Sequence, residues 1–210
     1  MMRDGERRGA GWDALRAHRW DAARRAFAPL AEQGDPSACL GLGLLLWAGR
    51  GAPRSPTEAL ALFRRAASSG QPDAQTALAA ALGAEDREAA RALLTQAAQQ
   101  GYPPAMAQLA AHADDPAQRI AWARRAAEAG EPDAMALLGR LLARTPARAE
   151  ALGWLYAAAA LGADSDAARD ARALARLMLA RDIRAGQNQG RALVKRFKAK
   201  PGLPAPLPQG

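Results

Sequence analysis

The chain has 210 residues, half of them apolar and 5% aromatic, and 58 are alanine, which loses least on entering a helix. The net charge is +8 and the pI near 10.8, yet residues 1–170 hold 20 basic and 20 acidic residues, so the excess lies in 171–210. One cysteine, Cys39, excludes an intrachain disulfide, and two isolated histidines, His18 and His112, make no zinc-ligand pattern.

In chain order, residues 1–9 are polar, lack the apolar core of a signal peptide and read as a disordered N-terminus. A helix pair is predicted near 11–18 and 20–33. Five copies of one phrase then mark the chain: Leu30-Ala31-x-x-Gly34, Ala66-Ala67-x-x-Gly70, Ala97-Ala98-x-x-Gly101, Ala126-Ala127-x-x-Gly130 and Ala158-Ala159-x-x-Gly162. The first four glycines are followed by Pro two places on and Ala four places on. Proline suits a first helical position, and glycine suits the left-handed residue that ends a helix. First helices are therefore predicted near 36–48, 72–83, 103–113, 132–143 and 164–178, and second helices near 56–69, 86–100, 116–129, 146–161 and 181–199. The expected boundaries are an N-terminal pair at 10–34, repeats at 35–70, 71–101, 102–130 and 131–162, and a degenerate C-terminal pair at 163–199. No strand signal interrupts them. The longest apolar stretch, Ala38 to Ala48, has about half the length a bilayer span needs.

A repeat of this period implies a stacked array in which each unit packs on its neighbours. The fold class predicted is all-α, a right-handed solenoid of about six antiparallel helix pairs in a single elongated domain, 10–199.

The segment 34–70 carries Leu42-Gly43, Leu46, Gly49-x-Gly51, Ala59, Leu62-Phe63, Arg65 and Ala66-Ala67-x-x-Gly70. This resembles the Sel1-like repeat, a subfamily of the tetratricopeptide-type solenoids, with Leu46 and Leu62 standing where the family has aromatics. Leu138-Gly139, Trp122 and Trp154 match in later units, which lack the Gly-x-Gly loop. The resemblance implies a right-handed helical solenoid acting as a protein-binding adaptor. Some cysteine-rich relatives are disulfide-clipped and secreted; the single Cys39 departs from them, and a cytoplasmic location is expected.

Within 36–48, Ala38, Leu42 and Leu45 form one apolar row and Leu40, Leu44 and Trp47 a second. A helix apolar on two faces is fully buried or offers a second surface. Two readings of the second row stand: it packs on the N-terminal pair, on Trp12 or Trp20, or it lines the concave groove that the resemblance implies. Asp73, Thr76, Asp114, Asp133, Arg140 and Arg144 follow on the same inferred face, with solvated helix faces as the simpler reading. The partner expected is a protein or peptide of unspecified identity.

No catalytic constellation, cofactor motif or metal cluster is read. A Cys39–His18 pair would need hydrogen-bond contact. Gly49-x-Gly51 lacks the third glycine and lysine of a phosphate loop and reads as a turn between helices. Asp114-Asp115 before Pro116 reads as a helix cap.

From 181 to 199 an inner row of Ile183, Gly186, Gly190, Val194 and Phe197 predicts a capping helix, its two glycines forming a notch for a neighbouring helix. Arg184, Arg191, Lys195 and Lys198 make the outer face cationic. That face is read as a cap, or alternatively as a binder of an acidic partner, nucleic acid or an anionic membrane surface. The sparse aromatics weigh against single-stranded nucleic acid. Residues 200–210, with four prolines, read as an extended disordered tail.

Overall fold

The computed structural model describes residues 4–83, 85–163 and 166–198. They form twelve α-helices and no strand, with 80% of the residues helical. The helices are α1 (Asp4–Arg16), α2 (Trp20–Glu32), α3 (Pro36–Ala48), α4 (Pro56–Ala67), α5 (Pro72–Leu82), α6 (Arg87–Gln99), α7 (Pro103–His112), α8 (Pro116–Ala129), α9 (Pro132–Ala143), α10 (Arg148–Leu161), α11 (Ala167–Ala175) and α12 (Ala180–Lys198). This is the helical-repeat class expected from the periodicity. The residues expected to form the Pro-rich tail lie outside the described ones.

The repeated phrase is a helix stop. All five of its glycines have positive φ, from +78° to +105°. In four copies the residue after the glycine donates its N–H back to the carbonyl of the first residue of the phrase: Asp35 to Leu30 at 2.9 Å, Tyr102 to Ala97 and Glu131 to Ala126 at 3.2 Å, and Ala163 to Ala158 at 3.0 Å. That is the six-to-one bond of a Schellman motif, which satisfies carbonyls the helix end leaves unpaired. Proline then opens α3, α5, α7 and α9 without the loss of any needed N–H. The alanines of the phrase, with Ala38, Ala74, Ala105 and Ala134, are nearly all buried, so small side chains sit where helices cross. Where proline opens α8, Asp115 adds a side-chain cap, accepting from Ala117 and Gln118 N–H at 3.2 Å each.

The helices fall into two compact units, 4–102 and 103–198. In the first, each helix packs on the next, and α3 also contacts α1 and α5. Its core centres on Phe27, Leu30, Cys39, Leu40, Leu45 and Phe63. Phe27 is held between two glycines: a Cβ on Gly11 or on Gly41 would lie 2.5 Å from its ring. Trp12 packs edge-on against the same ring at 5.2 Å, and its indole N–H donates to Ser37 Oγ at 2.9 Å.

These contacts overturn the disordered reading of residues 4–9. Helix α1 starts at Asp4, and Arg8 pairs with Asp35 at 2.8 Å. Its three glycines weaken intrinsic propensity, but Gly11 is what lets the helix approach Phe27. Tertiary packing prevails over propensity here.

In the second unit α7 to α11 pack in sequence, and α11 also touches α9. The last two helices depart from a simple pair, because α12 packs chiefly along α10. The notch expected from Gly186 and Gly190 is occupied by that helix. A Cβ on Gly186 would stand 2.7 Å from the Ala149 carbonyl oxygen, and one on Gly190 would stand 2.8 Å from Tyr156 Cβ. Arg124 of α8 is paired to Glu150 of α10, whose carboxylate also accepts the Trp154 indole N–H at 3.2 Å.

Candidate functional site

Of the second row on α3, the structure removes Leu40 from any surface: it is 1% exposed within the first unit's core. Leu44 and Trp47 are half-buried, packed against that core on one side and open on the other. Thr76 is likewise a structural residue, 2% exposed, its hydroxyl donating to the Pro72 carbonyl at 2.6 Å. Its burial follows from its place one turn into α5, where a β-branched side chain back-bonds to the helix and closes the packing against its neighbours. Asp73, beside it, is half-exposed and accepts from Ala74 N–H at 2.8 Å.

Trp47 is the last residue but one of α3, which ends at Ala48 and is capped by the left-handed Gly49. Its ring lies 6.3 Å from Phe63, and the Arg54 guanidinium sits 5.9 Å over it while donating to the Trp47 carbonyl at 3.1 Å. The loop between them is fixed by Gly51: with φ +72°, it packs on the Trp20 backbone so closely that a Cβ would be 2.9 Å away. Arg50 stacks over Trp20 at 4.7 Å. The Gly-x-Gly pair is thus a tight turn that brings α3 against α2. The resulting surface, Leu44, Trp47 and Arg54, is amphipathic: an indole and an aliphatic chain beside an exposed cation. Such a surface can bury an apolar side chain and bond a carboxylate or carbonyl at its rim.

Arg65, at the basic position of the repeat, has a structural task. Its guanidinium donates to the Ala31 carbonyl at 3.0 Å, tying α4 to the end of α2. In the next repeat Gln100 does the same for Gly70, at 3.0 Å, and with Gln75 and Gln96 forms a small amide ladder.

The remaining expected groove residues lie in the second unit. Arg140 is held by Asp170 of α11 at 2.6 Å and ties α9 to α11, whereas Arg144 is exposed at the C-cap of α9. Asp114 and Asp133 are exposed. On α12, Arg184, Arg191, Lys195 and Lys198 are all exposed, on the face away from the Gly186–Gly190 contact. The first and last are about 21 Å apart along the helix at 1.5 Å per residue. Beside Arg191 an open cleft of 380 Å³ is lined by Tyr156, Ala160, Gln187, Gly190 and Val194. Gln187 donates to the Tyr156 hydroxyl at 3.3 Å within it.

Sequence reasoning missed two features. One is that cleft, which exists because α12 lies on α10. The other is the turn between α11 and α12, where Leu177 is 74% and Leu179 62% exposed. A Leu-Met-Leu run inside a helix-to-helix turn, where polar residues are the norm, was the available signal.

Cys39 is fully buried, its thiol 3.7 Å from the Ala31 carbonyl, and burial pushes its pKa up. It therefore stays a thiol at neutral pH. His18 packs edge-on against Trp20 at 4.9 Å. Among the described residues there is no cluster of three or more metal-ligating side chains, and no helix is long and apolar enough to cross a membrane.

No protein-family model matches the chain, and no curated protein does. Solved structures match well. A Sel1 repeat protein from Oxalobacter formigenes is 29% identical at a TM-score of 0.63, over 74% of this chain and 49% of that one. The protective antigen c5321 of uropathogenic Escherichia coli, which displays an SLR fold, is 21% identical at 0.55, over 90% of this chain and 54% of that one. The immunity protein PA5088 of Pseudomonas aeruginosa is 20% identical at 0.58, over 89% and 82%. The match thus spans about half the length of the first two structures.

Proposed function

We propose that this chain, a Sel1-like repeat protein by its fold and repeat phrase, is a non-catalytic adaptor that binds a partner protein or peptide at the half-open face of α3. The observation that carries the reading is Trp47. Its indole is only half covered, with the half-buried Leu44 beside it and Arg54 over it, near the end of a helix whose Ala38, Leu40 and Leu45 are fully buried. A fold with no use for a second apolar surface would complete that cover. Exposed Trp and Arg beside a core are the residue types that dominate binding energy at interfaces. The solved Sel1-type structures support the scaffold reading through fold, and the immunity protein among them shows the same fold in a chain of similar extent.

Partner contact is read at Leu44, Trp47 and Arg54. Leu40, Thr76 and Arg140 serve the fold, and Arg144 stays outside this surface. The test is capture from native extract on immobilised full-length chain, wild type beside Trp47→Ala. A partner held by the wild type at both low and high salt, and lost from the variant, is the expected result. Equal capture by the two chains would refute the assignment.

A further inference from the structure

We propose that the turn between α11 and α12 is a docking tip for an anionic lipid surface. The proposal is independent of the α3 reading. Leu177 and Leu179 are the large apolar side chains that the described residues leave most open to water. Neither helps the fold where it stands. Leu179 precedes the first residue of α12, its carbonyl accepting from Asp182 and Ile183 N–H at 2.9 and 3.0 Å. It thus occupies the N-cap position, where Ser, Asp or Asn would bond an unpaired N–H and leucine bonds none. Leu177, whose N–H is tied to the Leu174 carbonyl at 3.0 Å, is equally fixed and equally uncovered. Two apolar side chains held rigidly in water at a helix junction are explained by something outside the chain that covers them.

The surroundings say what kind of surface. Arg172, Arg176 and Arg184 are exposed and have no acidic partner among the described residues, while Asp182 is paired to Arg181 at 3.5 Å. The tip therefore carries positive charge on both flanks of its leucines. The leucines stand 74% and 62% exposed in a turn between two helix ends, so they are free to enter a yielding apolar medium. Nucleic acid would satisfy the arginines and leave the leucines wet. A bilayer with anionic headgroups meets both, with apolar side chains in the acyl boundary and cations at the phosphates. The exposed row Arg184, Arg191, Lys195 and Lys198 continues the charge along α12.

Co-sedimentation of the full chain with vesicles tests this. Probes are phosphatidylcholine vesicles with and without about one-third phosphatidylglycerol, at low salt and at about 0.5 M salt, where surface attraction is screened. Binding is expected to the anionic vesicles alone and to fall with salt. The double variant L177S/L179S should bind about tenfold more weakly, since two side chains leave the interface. It should melt as the wild type does, because serine is a good N-cap and neither leucine is covered. R176Q/R184Q should lose the preference for anionic lipid. The proposal is overturned by an absence of binding to anionic vesicles or by unchanged binding of the leucine variant. It is also overturned by a concentration-dependent dimer that L177S/L179S abolishes, which would make the leucines a contact between copies.

Discussion

Gly190 of α12 lies against Gly153 of α10 so closely that a Cβ on Gly190 would stand 3.0 Å from the Gly153 carbonyl oxygen. At Gly186, one turn earlier, a Cβ would come 2.7 Å from the Ala149 carbonyl oxygen, an atom of the backbone that cannot swing aside. Helix propensity alone favours Gly→Ala by about 1 kcal/mol. Here the sign should reverse, with Gly186→Ala costing about 1–3 kcal/mol through overpacking. Gly9 of α1 is the control, since nothing lies within 4 Å of a Cβ there. Gly9→Ala should raise stability by up to about 1 kcal/mol. Thermal melts of both variants check the pair of signs, and a stabilised Gly186→Ala would mean α12 does not lie on α10 as described.

The Arg124–Glu150 pair sets a pH dependence. The hydrogen bond from Arg124 holds the Glu150 carboxyl below the usual glutamate range, outweighing the opposing effect of burial. A carboxyl with a lowered folded pKa contributes stability above its unfolded value, about 4.3, and loses it as pH falls through the folded value. Both side chains are about a third exposed, so solvent screening keeps the contribution to about 1 kcal/mol or less. Glu150→Gln should therefore be less stable than wild type near neutrality, and the difference should vanish in acid below the usual glutamate range. Urea melts across that range measure it; a gap that persists in acid would assign the loss to packing around Trp154.

Helix boundaries were legible because this chain writes its helix ends in local chemistry. Gly34, Gly70, Gly101, Gly130 and Gly162 each stop a helix by adopting positive φ, and a following proline starts the next in four of the five cases. The notch at Gly186 and Gly190 was legible for the same reason, since glycine four apart in an amphipathic helix has few other uses. What could not be read was which residue of an apolar row ends up outside. Leu40 and Trp47 share a row, yet Leu40 is fully buried in the core of α1 to α4 while Trp47, near the end of α3, is only half covered. The first turns of α1, ahead of the helix predicted near 11–18, were missed for a related reason: their case rests on Phe27, Asp35 and Ser37, all distant in sequence.

Trp47 and Phe63 face each other across α3 and α4, one half-open and the other buried. Phe63→Ala should cost about 3–5 kcal/mol, the usual price of emptying a buried aromatic site. Trp47→Ala removes a side chain that water already reaches and should cost clearly less, about 1–2 kcal/mol. Denaturant melts compare the two. A Trp47→Ala loss equal to that of Phe63→Ala would make the indole a core residue and remove it from the binding surface.

Cys39 reports the integrity of the first unit. Its thiol is fully buried against the Ala31 carbonyl, and burial raises its pKa, so a thiol reagent meets neither an open path nor a thiolate. Labelling of the native chain by an aromatic disulfide reagent should then proceed only through opening of the core, orders of magnitude slower than in urea. Gly41→Ala is the variant to set beside it. A Cβ there would stand 2.5 Å from the Phe27 ring, which is already held on its other side by Gly11, so the ring has nowhere to retreat. The substitution should destabilise α1 to α3 by about 1–3 kcal/mol and speed Cys39 labelling roughly 5- to 150-fold in proportion. Prompt labelling of the unaltered native chain would show that Cys39 is reached without opening and would remove it from the core.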